Sequence, residues 1–161
     1  MAYLIDSNVL IQAKNGYYSF DICPGFWDWL TKAHRNGIVY SVERVREELS
    51  EGNDELAKWI GNCPDSFFLP LDALTVSSMT KVSDWVSMQG YKSAFVTEFL
   101  NQADSFLIAQ ALAHSHTVVT HERLENGTKK IKIPNVCVGL NVAYTNNMTM
   151  LRDQQACFVL K

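Results

Sequence analysis

The segment ADSFLIAQALAHSH, residues 103–116, carries apolar side chains round most of a helical circumference: Phe106, Ala109 and Ala113 on one side, Leu107, Ile108, Ala111 and Leu112 on another. A helix that is apolar nearly all round has to lie packed between other elements. Short apolar runs that read as buried strands flank it: YLI at 3–5, GIVYS at 37–41, FFLPL at 67–71, TVVT at 117–120 and NVAYT at 141–145. Helical patterns lie between these runs. PGFWDWLTKAHRNG opens at Pro24 and closes at Gly37, with Phe26, Trp27, Leu30 and Ala33 on one face. SVERVREELSEGNDELAKWIGN, residues 41–62, reads as helical from a Ser41 cap and groups Val42, Val45 and Leu49. Strands alternating with helices predict a parallel sheet with helices on both faces. The 161 residues show no repeat, low-complexity segment or linker. The expectation is one domain, residues 1–161, built as a three-layer α/β/α sandwich round a central, mainly parallel sheet.

Composition narrows the function classes. At 47% hydrophobic and 19% charged residues, the chain reads as an ordinary globule and not as a disordered tail. A net charge of −3 supplies no global basic field, so binding to nucleic acid would need a local patch. Cys23, Cys63, Cys137 and Cys157 are widely spaced, without a CxxC pair. That pattern argues against a zinc or disulfide framework and fits a reducing cytoplasm. No signal peptide or membrane span is expected, because Asp6 interrupts the first apolar run and later runs are far short of ~20 residues. The N-x-T matches at Asn126 and Asn147 carry little meaning without secretion.

Acidic residues recur where a parallel sheet places its ligands. Asp6 follows the first strand, Glu122 follows TVVT, and Asp104 opens the helix leading into that strand. Glu47 and Glu48 lie about two turns into the helix after the second strand. Carboxyl ends of parallel strands share one edge of the sheet, so these groups can meet. Each has an ordinary explanation alone: Asp6 as a cap, Asp104 as an acid favoured by a helix N-terminus, the glutamates as solvated helix charges. Together they would repel one another and destabilise an empty fold unless a cation neutralised them. Oxygen-only ligands point to Mg²⁺ or Mn²⁺, and such a centre suits phosphodiester hydrolysis.

The ordered set YLIDSN, EEL, ADSFLIAQALA and VVTHE resembles the PIN domain, a family of metal-dependent ribonucleases that includes the toxins of bacterial toxin–antitoxin modules. AKNGYYSFDICPGFWDWL, GNDELAKWI and KIKIPNVC further resemble a little-characterised bacterial branch of PIN-like proteins. The resemblance implies Asp6, Glu48, Asp104 and Glu122 as the catalytic, metal-binding acids, with Glu48 chosen over Glu47 because Leu49 follows it. It implies Ser7 or Asn8 as the small polar residue orienting a ligand beside the first acid. It also implies an endoribonuclease that leaves 3′-hydroxyl and 5′-phosphate ends, an antitoxin partner and a homodimer. Two positions depart from the family: Ile108 stands where many members carry a further acid, and Glu122 stands where Asp is common.

Lys129, Lys130 and Lys132 follow the fourth acid and would clamp RNA phosphates, with Lys14 and Arg46 as weaker candidates. As a solvated loop the lysines need no function. His114 and His116 are two apart, poor spacing for a helical zinc pair, while His121 is placed to touch a phosphate. Phe26, Trp27 and Trp29 read as core before they read as a base-stacking platform, a dimer surface or an antitoxin patch. The competing function is a non-catalytic PIN-like module that binds RNA or a protein. A phosphatase of the haloacid dehalogenase type is set aside because Asn8 replaces its second acid.

Overall fold

The computed structural model describes residues 1–160. β1 (Tyr3–Ile5), β2 (Val39–Val42), β3 (Phe68–Leu69), β4 (Thr117–Val119) and β5 (Tyr144–Thr145) form a sheet in the order β3-β2-β1-β4-β5, and all pairings are parallel. Leu4, Ile5, Val118 and Val119 are wholly buried, as strands covered on both faces require. The register pairs Ile5 with Val119, which brings Asp6 beside Thr120 one step further on. From β1 the chain moves outward through β2 and β3, then returns to the other side of β1 with β4. The crevice outside the carboxyl ends of β1 and β4 is therefore the switch point where such sheets hold ligands.

Nine α-helices among the described residues cover the sheet: α1 (Ser7–Asn15), α2 (Pro24–Arg35), α3 (Glu43–Ser50), α4 (Glu55–Asn62), α5 (Ala73–Ser87), α6 (Ser93–Asn101), α7 (Ala103–His114), α8 (Ile133–Gly139) and α9 (Asn147–Asp153). α7 packs against β2 and β4 and against α5, α6 and α8, while α1, α3 and α4 pack on one another and α2 meets β2. The expected three-layer α/β/α sandwich is what the chain forms. Ala103, Leu107, Ile108, Ala109 and Ala111 of α7 are all buried, as its all-round apolarity demands.

Two local expectations are corrected. Residues 41–62 do not form one helical run: α3 stops at Ser50, and Asp54 starts α4 by accepting the Ala57 amide at 2.9 Å. Ser41 is not a cap. It stays in β2 and donates its hydroxyl to the Ile5 carbonyl at 2.7 Å. Helices α5 and α6 have no counterpart among the elements expected from the sequence. The buried face of α5 is Thr75, Ser78, Val82 and Val86, so half of its inner stripe is polar and its periodicity is hidden. Thr75 is tolerated inside because its hydroxyl meets Gln110 and Asp72, both at 2.8 Å.

Phe26 and Trp27 of α2 belong to the core, and Tyr18, Phe20 and Trp29 pack against it, while Tyr17 stays exposed. Phe20 stacks on Trp27 at 4.0 Å, Tyr18 stacks on Phe26 at 4.5 Å, and Trp27 donates its indole N–H to the Tyr18 carbonyl at 2.7 Å. No helix among the described residues is long and apolar enough to cross a membrane.

Candidate functional site

Asp6 is the last residue before α1 and caps it, accepting the Asn8 amide at 3.4 Å on Oδ1. Its other oxygen accepts the Thr120 hydroxyl at 3.1 Å, across the switch point. The side chain is thus held between β1 and β4, beneath the surface, at 1% exposure. Burial pushes its pKa up to about 6, with the charges of Glu122 and Glu48 adding to it and the Thr120 and Asn8 hydrogen bonds opposing it.

Asp104 sits in the first turn of α7. Burial raises its pKa to about 7, and the negative charges of Asp6, Glu122 and Glu48 push in the same direction while Lys130 opposes them. Among the described residues no hydrogen bond offsets that push. The mutual repulsion shows that these acids share one electrostatic environment, although 98 residues of chain separate Asp6 from Asp104.

Glu48 reaches the same place from α3. Its Oε1 accepts the Ala103 amide at 3.0 Å and its Oε2 accepts the Ser7 hydroxyl at 2.9 Å. Glu47 points elsewhere, onto Arg44 at 2.9 Å. Glu122 accepts the Ile133 amide at 2.7 Å, and Thr120 anchors its backbone by accepting the Glu122 amide at 3.1 Å. Free amides at the N-termini of α7 and α8 therefore hold two of the acids in place.

A cleft of about 520 Å³ opens over this cluster, lined by Ser7, Asn8, Glu48, Asp104, Glu122, Lys129 and Lys130. Lys132 is not part of that lining; it is the residue before α8. Lys14 is likewise outside it and pairs with Asp54 at 2.5 Å. Arg46 pairs with Asp65 at 2.7 Å. No histidine lines the cleft: His114 meets Asp72 at 2.7 Å and stacks on His116 at 5.9 Å, and His116 accepts the Ala2 amide at 3.1 Å. Ile108 is wholly buried, so that turn of α7 offers the cleft no further acid.

Sequence reasoning missed Thr120 as the link between Asp6 and Glu122, and it missed the wall supplied by α6. Phe95, Phe99, Glu98 and Gln102 line that wall, and their spacing of four residues was the available signal.

The donor set is all oxygen and acidic, which suits a hard divalent cation. Among the described residues, however, no group of three or more His, Cys, Asp or Glu side chains is arranged to hold a metal ion. The hydrogen bonds account for this: Glu48 and Glu122 are turned onto helix amides, and Asp6 onto Thr120 and Asn8. The chemistry of the residues fits a cation. The side-chain arrangement is one in which protein donors share the negative charge.

Neither a curated protein nor a solved structure matches the chain. The family model described as Domain of unknown function (DUF4411) matches residues 3–158, and the chain belongs to that family.

Proposed function

We propose that this chain is a Mg²⁺- or Mn²⁺-dependent endoribonuclease with a PIN-like active site. The observation that supports it most is the cleft at the sheet's switch point lined by Glu48, Asp104 and Glu122, with Lys129 and Lys130 on its rim and Asp6 buried close enough for its charge to act on Asp104. These acids would hold the cation, which when bound would neutralise their charge and polarise a phosphodiester. Thr120 and the Asn8 amide hold Asp6 from two sides, and the cation would take the place of these donors. Ser7 steadies Glu48. Lys129 and Lys130 attract the RNA backbone towards an otherwise acidic opening. The likeness of the four motifs to the PIN domain extends the proposal to a cytoplasmic toxin, restrained by an antitoxin protein and acting as a homodimer.

The test is a panel of single-stranded and structured RNAs with Mn²⁺, comparing the wild type, Asp6→Asn and an EDTA control. Cutting by the wild type alone supports the enzyme. A second reading, a module that binds RNA or protein without cutting, draws on the buried Ile108 and on the engagement of Glu48 and Glu122 by helix amides. Wild-type protein that binds RNA and leaves every substrate intact would favour that module.

A further inference from the structure

The cleft has two chemically different sides. One carries the acids, and the other is the wall that α6 supplies. Phe95, Glu98, Phe99 and Gln102 line it at spacings of three and four residues, which set them on one face of the helix. Ile11 and Ile131 extend the apolar part of the lining. Phe99 is buried, whereas Phe95 is half-buried and presents apolar surface to the cleft. Gln102 immediately precedes Ala103, whose amide Glu48 accepts, and Asp104 comes next. At 1.5 Å per residue, Phe95 lies about 10 Å along α6 from Gln102, with Glu98 between them. A group held on this wall therefore adjoins a phosphate held at the acids.

Glu98 belongs to the wall and not to the acid cluster. Asp6, Glu48 and Glu122 act on Asp104 through their charges, and Glu98 does not. Its side chain is exposed and forms no ion pair among the described residues. Oε1 accepts the Gln102 side-chain amide at 3.3 Å, one turn further along the helix, which steadies the carboxylate. Oε2 has no protein donor among the described residues. An ionised carboxylate only accepts hydrogen bonds. Next to an accessible aromatic ring, it suits a flat ring whose edge carries donors. Of the four RNA bases, guanine alone has two adjacent donors on its Watson–Crick edge, N1–H and the N2 amino group. Adenine and cytosine place an acceptor beside the amino group, and uracil N3–H stands between two carbonyls. Those edges would turn a lone pair towards the carboxylate.

We propose that the α6 wall is a guanine pocket, in which an unpaired guanine of the RNA stacks on Phe95 and donates its N1 and N2 hydrogens to Glu98. The pocket rests on reading the cleft as an RNA site. It supplies a base preference that the acids cannot, because phosphates carry no sequence information.

The probe is a set of labelled short oligouridylates carrying one guanosine, with matched strands that carry inosine, adenosine or cytidine instead. Binding is read by fluorescence anisotropy, with Asp6→Asn protein in Mn²⁺ and with otherwise wild-type protein in EDTA. The guanosine strand should bind about tenfold tighter than the adenosine strand, as one bidentate base contact provides. Inosine, which lacks the N2 amino group, should fall between them. Glu98→Gln should erase the guanosine preference, even though removing a negative charge strengthens binding to every strand. Phe95→Ala, checked for folding by its melting curve, should weaken guanosine binding about tenfold, and Phe95→Tyr should restore it. If guanosine binds no better than adenosine, if Glu98→Gln keeps the preference, or if folded Phe95→Ala binds like the wild type, the pocket is wrong. Loss of a Mn²⁺-induced rise in melting temperature in Glu98→Gln would make Glu98 a metal ligand and overturn the pocket as well. Asp6-dependent cutting that ignores the base overturns the pocket and leaves the nuclease standing. Guanine-selective binding without cutting does the reverse, and absence of RNA binding under both conditions overturns both.

Discussion

Glu48 Oε1 accepts the Ala103 amide at 3.0 Å, joining α3 to the start of α7 across 55 residues of chain. Because the next residue along is Asp104, this bond places two of the four acids side by side. It also separates Glu48 from Glu47, whose carboxylate lies on Arg44 outside the cleft.

If these acids hold a divalent cation, Mg²⁺ or Mn²⁺ should raise the melting temperature of the wild type, by about 2.7 kcal/mol of stability at a hundredfold excess over the dissociation constant. The double variant Asp6→Asn, Asp104→Asn should fold and show no response, and Glu48→Ala should lose most of it. Glu47→Ala should respond like the wild type. Equal responses from all four proteins in a thermal-shift titration would rule out a metal centre here.

The metal-free protein should become less stable as pH rises towards neutrality. Burial and like charge lift the Asp104 pKa from the ordinary value of 3.8 to about 7, so the folded state binds this proton more tightly than the unfolded chain does. The stability is therefore complete below about pH 4 and is lost progressively up to about pH 7, with a slope of at most ~1.4 kcal/mol for each step of one in pH. Asp6, raised to about 6, acts in the same direction. Asp104→Asn should then be more stable than the wild type at pH 8 by roughly 1–3 kcal/mol in urea, after allowance for partial solvent screening. The gap should close near pH 4. A variant less stable than the wild type at pH 8 would contradict this account of the cluster.

Lys129 and Lys130 line the cleft and Lys132 does not. Replacing the first two with Gln should flatten the salt dependence of RNA binding by up to ~1.4 in slope, at ~0.7 per phosphate contact on single strands. Lys132→Gln and Lys14→Gln should leave the slope unchanged. A slope insensitive to the double replacement would return both lysines to an ordinary solvated loop.

Gly139 ends α8 against Trp85 of α5, and a Cβ there would overlap the indole ring. Gly139→Ala should cost about 1–3 kcal/mol by overpacking, measured by chemical denaturation. Gly61, which has open space round it, should accept Ala without such a loss.

Layering, parallel strands and the positions of Asp6, Asp104 and Glu122 were legible in the sequence, because apolar runs and strand ends are local patterns. Local pattern could not reveal α5, whose inner face is half polar; Thr75 becomes a core residue only once Gln110 and Asp72 are there to satisfy its hydroxyl. Nor could it show that residues 51–54 interrupt a helix, since the Asp54 cap competes with continued helical periodicity. Chain order also left the choice between Glu47 and Glu48 to the resemblance. The tertiary structure separates them through donors from distant segments, the Ser7 hydroxyl and the Ala103 amide for one and Arg44 for the other. The same holds for Lys129 and Lys130 against Lys14. Charge and residue type are written in the chain, but which charges face one another depends on how the helices cross the sheet, and that depends on packing between residues far apart in sequence.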